Sequence, residues 1–318
     1  MPKKSLYRTQ NWKKYNEALV QRGSITLWIS EDTLAGWMHQ GRRKRGRPFT
    51  FSDDAILCAL TLRAVFRLPL RQTEGFLRSV FGLMGIALPV PDYTTLCLRR
   101  KSLVVPLVRR KSGPLHLLID STGLKIRGEG EWRQRSGKSG YRKWRKFHIG
   151  IDAESQEIVV EELSLSRVAD ATAGKRLIEA APADLASVTA DGSYDKVKIY
   201  DAAGRKQAAV IIPPRKDGKV RRYRRDPRDG TWKKHLPCMN PRDEAIRAIR
   251  RGGRKRWKRE SGYHRRSLVE TAFSRTQRLF GQGLRSKRIA PQRTEAAVRC
   301  RALNIMTALG MPETVRVA

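Results

Sequence analysis

Six residues constrain the rest of the chain: Leu115-His116-Leu117-Leu118-Ile119-Asp120, an apolar run that ends in a carboxylate. The run is too short for a helix of ordinary length. Gly113-Pro114 before it and Ser121-Thr122-Gly123 after it are turn-forming, so it reads as a buried β-strand with Asp120 at its end. A second strand-like run, Ser187-Val188-Thr189-Ala190, ends in Asp191 and is followed by Gly192. If the two strands lie side by side, both carboxylates converge at the carboxyl edge, where open α/β sheets bind ligands. The surrounding chain is strongly basic: 67 Lys and Arg against 30 Asp and Glu, a net charge of +37 over 318 residues. Such an excess fits a polyphosphate partner, because each phosphate neutralised releases counterions. Solubility calls for far less charge of one sign. Paired strand-end carboxylates in a basic chain point to a metal site acting on nucleic acid.

Composition excludes several other classes. With 40% hydrophobic residues the chain can bury a core, so it is not a wholly disordered basic protein. Its four cysteines, Cys58, Cys97, Cys238 and Cys300, are widely spaced and form no Cys-x-x-Cys pair, which argues against a zinc ribbon or a disulfide framework. Cys58, Cys97 and Cys300 fall in apolar helical patterns and read as core thiols of a reducing compartment. No apolar run is long enough to span a bilayer, and no signal peptide opens the chain, so a soluble, intracellular protein is expected.

Residues 24–38 hold an amphipathic piece that Ser30 can cap as a short helix through Met38. A basic arm follows at 41–48, with Arg42, Arg43, Lys44 and Arg45 at its centre. It reads either as a solvated linker or as an arm lying along a DNA groove. Residues 52–101 read as three helices: one capped by Ser52 or Asp53, one opened by Pro69, and one from Tyr93 to Lys101 behind Asp92. The third carries Arg99 and Arg100 among its polar residues. The trio is either a helix-turn-helix-like DNA reader or an all-helical support domain. Between 115 and 212 strands alternate with helices: the run to Asp120, a hairpin of 147–152 and 157–166, a helix at 170–180, the strand to Asp191, a helix near 196–203, and a strand at 208–212. That order predicts a mixed α/β domain. The loop at 129–146 interleaves Trp132, Tyr141 and Trp144 with Arg and Lys, which suits base stacking beside phosphate contacts. Residues 205–259 carry 21 Lys and Arg against 5 Asp and Glu and read as a basic insertion with one helix near 241–251. The strongest helix spans 262–281, with Glu270 beside its apolar stripe. A last amphipathic helix, 294–309, is expected to pack on the sheet.

These stretches resemble a known family. Leu117 to Lys125, the Gly128-Glu129-Gly130-Glu131-Trp132 loop and Ala190-Asp191-Gly192-Ser193-Tyr194-Asp195 are similar to the DDE transposases of bacterial insertion sequences. Ile211-Ile212-Pro213-Pro214-Arg215-Lys216 and Ser261 to Glu270 resemble the insertion-sequence-five family in particular. The family's pattern around the glutamate is Tyr, two residues, Arg, three residues, Glu, six residues, Lys or Arg. Tyr263, Arg266 and Glu270 match it; Gln277 departs at the last position, with Arg278 adjacent. The resemblance implies a ribonuclease H-like α/β catalytic core over 111–312, with the basic insertion inside it. Ahead of it would lie an all-helical DNA-binding region, 1–110, and behind it a tail at 313–318. It further implies that Asp120, Asp191 and Glu270 form the catalytic triad and hold two divalent cations, magnesium or manganese. The substrate would be double-stranded DNA, both element ends and target, handled by a homo-oligomer in a synaptic complex in the bacterial cytoplasm at the nucleoid.

Residue chemistry extends these implications. Arg cannot ligate a cation and Tyr is a poor magnesium ligand, so Tyr263 and Arg266 are assigned to DNA, with a plain Arg266–Glu270 ion pair as the alternative. Arg278, Trp132, Arg42, Arg43, Lys44, Arg45, Arg99 and Arg100 complete the expected DNA contacts. The expected activity is metal-dependent cleavage and strand transfer at terminal inverted repeats. The alternatives are a catalytically defective DNA-binding copy acting as a repressor, or a related nuclease without strand transfer.

Overall fold

The computed structural model describes residues 6–41, 48–107, 112–126, 144–220, 223–225, 232–234 and 240–317. The chain divides into two units: Met1–Pro106 together with Ser286–Ala318, and Leu107–Arg285. The basic arm residues Arg42, Arg43, Lys44 and Arg45, Trp132 and Cys238 lie outside the described residues.

The first unit begins with β1 (Leu6–Thr9), α1 (Trp12–Gln21), α2 (Glu31–Ala35), α3 (Asp53–Val65), α4 (Leu70–Leu83) and α5 (Tyr93–Arg99). Local chemistry sets several of these starts. The side chains of Ser30, Ser52 and Asp92 accept from the backbone N–H of Thr33, Ala55 and Thr95, satisfying amides the helices leave open. The helix begun at Ser30 stops at Ala35; Met38 instead bridges to Phe51 in extended backbone. In α3 every residue from Ala55 to Arg63 is buried, so this helix has no solvent face and forms the unit's centre.

The second unit is built on a sheet. Its strands are β2 (Leu115–Ile126), β3 (Trp144–Asp152), β4 (Ile158–Leu165), β5 (Leu185–Thr189) and β6 (Ala209–Ile211), in spatial order β4-β3-β2-β5-β6. The first three pair antiparallel, whereas β5 and β6 join β2 in parallel. Between them run α6 (Asp170–Ala180) and α7 (Val197–Arg205). A short ribbon, β7 (Tyr223–Arg225) with β8 (Trp232–Lys234), precedes α8 (Asn240–Glu260). Then come α9 (Ser267–Phe280) and β9 (Gly283–Leu284), which pairs with the far end of β2. The run at 115–120 is thus a strand, but it does not end at Asp120. It continues six residues, because β3 supplies partners as far as Lys125 opposite Trp144.

Helices cover both faces of this sheet. Strand alternation puts Leu115, Leu117 and Ile119 on one face, where they form a core with Ala171, Leu177 and Ile178 of α6 and with Ile199, Ala202 and Ala203 of α7. Gly150 sits opposite Ile119 on that face. A Cβ there would lie 2.7 Å from Val160 Cγ2 and 2.8 Å from Leu117 Cδ1, so close packing of the strands requires glycine. On the other face Phe147 meets Phe273 of α9 edge to face, with ring centroids 6.1 Å apart.

The chain then returns to the first unit through α10 (Ile289–Leu309) and β10 (Thr314–Val317). The last helix packs on α3, not on the sheet as its amphipathic pattern had suggested. Nearly all of it is buried, so its pattern encodes a helical bundle instead of a sheet-covering face. β10 pairs antiparallel with β1, Leu6 opposite Val317, so the helical unit is made from both ends of the described chain. Cys58 and Cys300 are buried and Cys97 half-buried, all as free thiols. Among the described residues no helix is long and apolar enough to cross a membrane.

Candidate active site

Asp120 belongs to the sheet face that α9 covers. Leu118 and Asp120 stand opposite Ile151 and Ile149 of β3, whereas Ile119 and Ser121 project to the α6 side. In the parallel pairing of β2 and β5, Leu118 stands opposite Thr189, and two positions further that register reaches Asp120 and Asp191. The first two members of the expected triad therefore come together through strand register. Asp191 is two residues past the end of β5. There it caps a 3₁₀ turn at Gly192–Tyr194, its Oδ1 accepting from the Ser193 backbone N–H at 2.8 Å and the Ser193 hydroxyl at 2.5 Å.

Glu270 arrives from the opposite direction, in the first turn of α9. Arg266, at the end of a 3₁₀ turn spanning Tyr263–Arg266, joins it to the sheet. Its Nη1 donates to Asp120 Oδ2 at 2.7 Å and its Nη2 to Glu270 Oε1 at 2.5 Å. The expected helical spacing of Tyr263, Arg266 and Glu270 holds only for the last pair, since α9 begins at Ser267. Tyr263 is buried, packed against Trp257 and beneath Lys258, whose Nζ lies 4.9 Å from the ring centroid. It braces the turn, and its burial does not suit the direct DNA contact expected of it.

Electrostatics at the site oppose one another. Burial pushes the Asp120 carboxyl above its ordinary range. The Ser121 backbone N–H and Arg266 pull it back, and the charges of Asp191 and Glu270 push it up again. Burial works against the Arg266 cation, but the Glu270 hydrogen bond and the fields of Tyr263, Asp120 and Glu270 outweigh it, so its pKa is raised. Burial also raises the Tyr263 hydroxyl. Two carboxylates share the Arg266 guanidinium and the charge of Asp191 is felt at Asp120, so the site gains from added positive charge.

Carboxylate oxygens are the donors that hard divalent cations prefer. Asp191 Oδ1 and Glu270 Oε1 carry hydrogen bonds, while among the described residues none is recorded on Asp191 Oδ2 or Glu270 Oε2. Both Asp120 oxygens are engaged, Oδ1 by the Ser121 N–H and Oδ2 by Arg266. The donor types fit magnesium or manganese. Among the described residues, however, no three acidic, His or Cys side chains are grouped closely enough to hold one ion.

Several contacts here were not anticipated. On the α6 side Asp170 Oδ1 accepts from the Ser121 hydroxyl at 3.1 Å and from Lys146 Nζ at 3.0 Å, buttressing the strand beside Asp120. Strict alternation through Ser121 was the available signal. Asp195, which sequence alone could confuse with Asp191, is buried and structural: it accepts from Arg242 Nε at 2.8 Å, the Tyr200 hydroxyl at 3.1 Å and the Arg215 N–H at 3.2 Å. Arg278 is exposed on α9, and Gln277, half-buried, is seven residues from Glu270, within about 20° of it around the helix. In the helical unit Arg99 is buried. It donates to the Phe51 carbonyl at 2.7 Å, pairs with Asp53 at 2.5 Å and stacks 3.9 Å above the Phe49 ring. Its guanidinium is spent inside the unit, which removes it from the expected DNA contacts. Arg100 is half-buried and reaches Ser286 Oγ at 3.3 Å.

Two family models, each described as a transposase DDE domain, match the chain, one over residues 20–129 and one over residues 111–305. Among solved structures, the cryo-EM structure of the piggyBac transposase synaptic complex with hairpin DNA is similar at 12% identity. That likeness covers 91% of this chain and 76% of that chain, with a TM-score of 0.37.

Proposed function

Because the chain belongs to the transposase DDE domain family, the second of those matches spanning most of its length, we propose that it binds the terminal inverted repeats of a bacterial insertion sequence. There it cleaves the DNA and joins the freed 3′ end to a target. The observation that carries this reading is the arrival of Asp120, Asp191 and Glu270 at one sheet face, two by strand register and the third through Arg266. The strand order, three antiparallel strands extended by two parallel ones, supports a ribonuclease H-like core. The insertion-sequence-five affiliation rests on Tyr263, Arg266 and Glu270 at their family spacing.

In this reading Asp120, Asp191 and Glu270 would hold two divalent cations, which would supply activation of the attacking oxygen and stabilisation of the leaving one. The protein's own residues do the rest. Asp120 is fixed within β2 and Asp191 by its cap on the turn just beyond β5, so the oxygens at one end of the site are pre-set. Glu270, on a helix and mostly exposed, is the adjustable ligand. Arg266 holds Glu270 toward Asp120 and offsets mutual repulsion of the carboxylates. The helical unit, the arm with Arg42, Arg43, Lys44 and Arg45, the loop with Trp132, and Arg100 and Arg278 contact DNA. Two ends require at least two copies of the chain.

The test is cleavage and joining of labelled DNA carrying the element's ends, with magnesium or manganese, by the native chain and by Glu270→Gln. Metal-dependent release of a 3′-hydroxyl that joins a second DNA, absent in the variant while end binding persists, is expected. Binding without cleavage by the native chain would overturn the enzyme reading in favour of a repressor, with Gln277 the first residue to replace by Lys. Cleavage without joining would leave a nuclease.

A further inference from the structure

The most basic helix among the described residues has no part in the site as described, yet it is anchored to both halves of it. Residues Asn240–Glu260 form α8, broken at Gly253, whose φ of 79° and ψ of 156° turn the helix axis. Its first half is buried through Asp243, Ala245 and Ile246, and Arg242 grips Asp195, four residues after Asp191. Its second half stacks Trp257 against Tyr263, in the turn that presents Arg266, and Arg254 donates to the Pro214 carbonyl at 2.7 Å.

The outward surface of α8 is dominated by cations, with Glu244 near one end and an Arg256–Glu260 ion pair near the other. Arg247, Arg250 and Arg251 precede the break, and Lys255 and Arg259 follow it; all five are exposed, and none forms an ion pair among the described residues. Positions three and four apart face each other on a helix, so Arg247 repels Arg250 and Arg251, and Lys255 repels Arg259. A solvated helix face ordinarily alternates signs. Here like charges repeat at a rise of about 6 Å from Arg247 to Arg251, beside a site whose carboxylates repel phosphate. A polyanion lying on this face would relieve the repulsion among the cations, and the cations would in turn offset the repulsion between its phosphates and the carboxylates of the site.

We propose that α8 is a rail for the phosphate backbone of double-stranded DNA, with Arg247, Arg250 and Arg251 its principal contacts and the Gly253 break aiming Lys255 and Arg259 along the same duplex. This rests on the DNA-processing reading above. The rail is blind to sequence and supplies affinity close to the chemistry, where base-reading contacts are not needed.

The experiment is binding of the full chain to a short mixed-sequence duplex by fluorescence anisotropy across a salt series. Two variants are compared with the native chain: Arg247→Gln/Arg250→Gln/Arg251→Gln, which removes charge while keeping good helix formers, and Arg247→Lys/Arg250→Lys/Arg251→Lys, which retains it. The Gln variant is expected to flatten the salt slope by about 2.7 and weaken binding by about 10²–10³-fold at ~0.1 M salt, whereas the Lys variant keeps the native slope. An unchanged slope in the Gln variant, with native binding intact, overturns the rail and leaves the function reading untouched. Equal losses in both variants mean a packing role, which also overturns it. Failure of the native chain to bind any duplex overturns the function reading itself.

Discussion

Arg266→Met would remove the charge that ties the sheet to α9 while keeping much of the side chain's volume. Arg266 and Asp120 are 20% and 16% exposed, so their bond is largely desolvated. Removing one partner of such a pair costs about 3 kcal/mol, the low end for buried pairs, because Asp120 keeps its Ser121 N–H. The Glu270 arm adds only about 0.3–0.5 kcal/mol, since that side chain is 57% exposed. In a unit of this size, that total lowers Tm by roughly 7–14 °C.

The loss also has a pH signature. Arg266 holds the Asp120 carboxyl down against burial; without it, that carboxyl rises further above its unfolded value. A carboxyl raised on folding leaves stability intact at pH below the unfolded value, and stability falls as pH climbs through the raised range. The deficit of the variant relative to the native chain is therefore smallest in acid and widens toward neutrality. Thermal melts of both proteins across that range are the assay. Adding Asp120→Asn removes the stranded charge and should recover most of the loss, so the double-mutant cycle isolates the pair. A deficit constant with pH, or no recovery in the double variant, would refute the argument.

Two further expectations follow from residues outside the triad. Arg99→Met should cost the helical unit about 1.5–3 kcal/mol in urea unfolding through its lost bonds to Asp53 and the Phe51 carbonyl, without changing the salt slope of DNA binding; unchanged stability with weakened binding would return Arg99 to the DNA-contacting set. His148 is fully buried with Nε2 3.0 Å from Ser164 Oγ, and burial, partly opposed by Asp170 and Glu162, lowers its pKa to about 4. Unfolding lets it take up a proton below about pH 6.5, so its contribution is present above that pH and is lost as pH falls toward 4; His148→Gln should flatten this acid loss by up to about 3 kcal/mol, read by pH-dependent urea melts.

What was legible in the sequence tracks how local each signal is. Ser30, Ser52 and Asp92 announce helix starts because a cap bonds to amides only a few residues away. The extent of β2 was hidden, since Ser121-Thr122-Gly123 has turn chemistry and stays extended only because β3 lies alongside. In α8 the Gly252-Gly253 pair masked the second half of the helix, so a stretch that reads as a loop is ordered helix to Glu260. In α10 Pro291 obscured the start, although proline is tolerated in a first turn. Asp120 and Asp191 were findable as carboxylates closing short apolar runs, although β2 runs on past Asp120, and Glu270 as one beside an apolar stripe. The bond that gathers two of them, from Arg266 to Asp120, spans 146 positions and leaves no local trace.

The packing of α10 on α3 has a bearing on how the protein is made. Residues Leu107–Arg285 are contiguous and can close their sheet as soon as they have left the ribosome. The helix that ends at Val65 cannot: it is buried on all sides, and one of its walls begins only at Ile289. At ordinary rates of translation, the face of α3 that α10 covers stands open for on the order of ten seconds or more. During that interval, molecular chaperones would find their ligand in α3. A ribosome that stalls before α10 would release a chain whose sheet unit is formed and whose helical unit is open, a natural substrate for quality-control proteases.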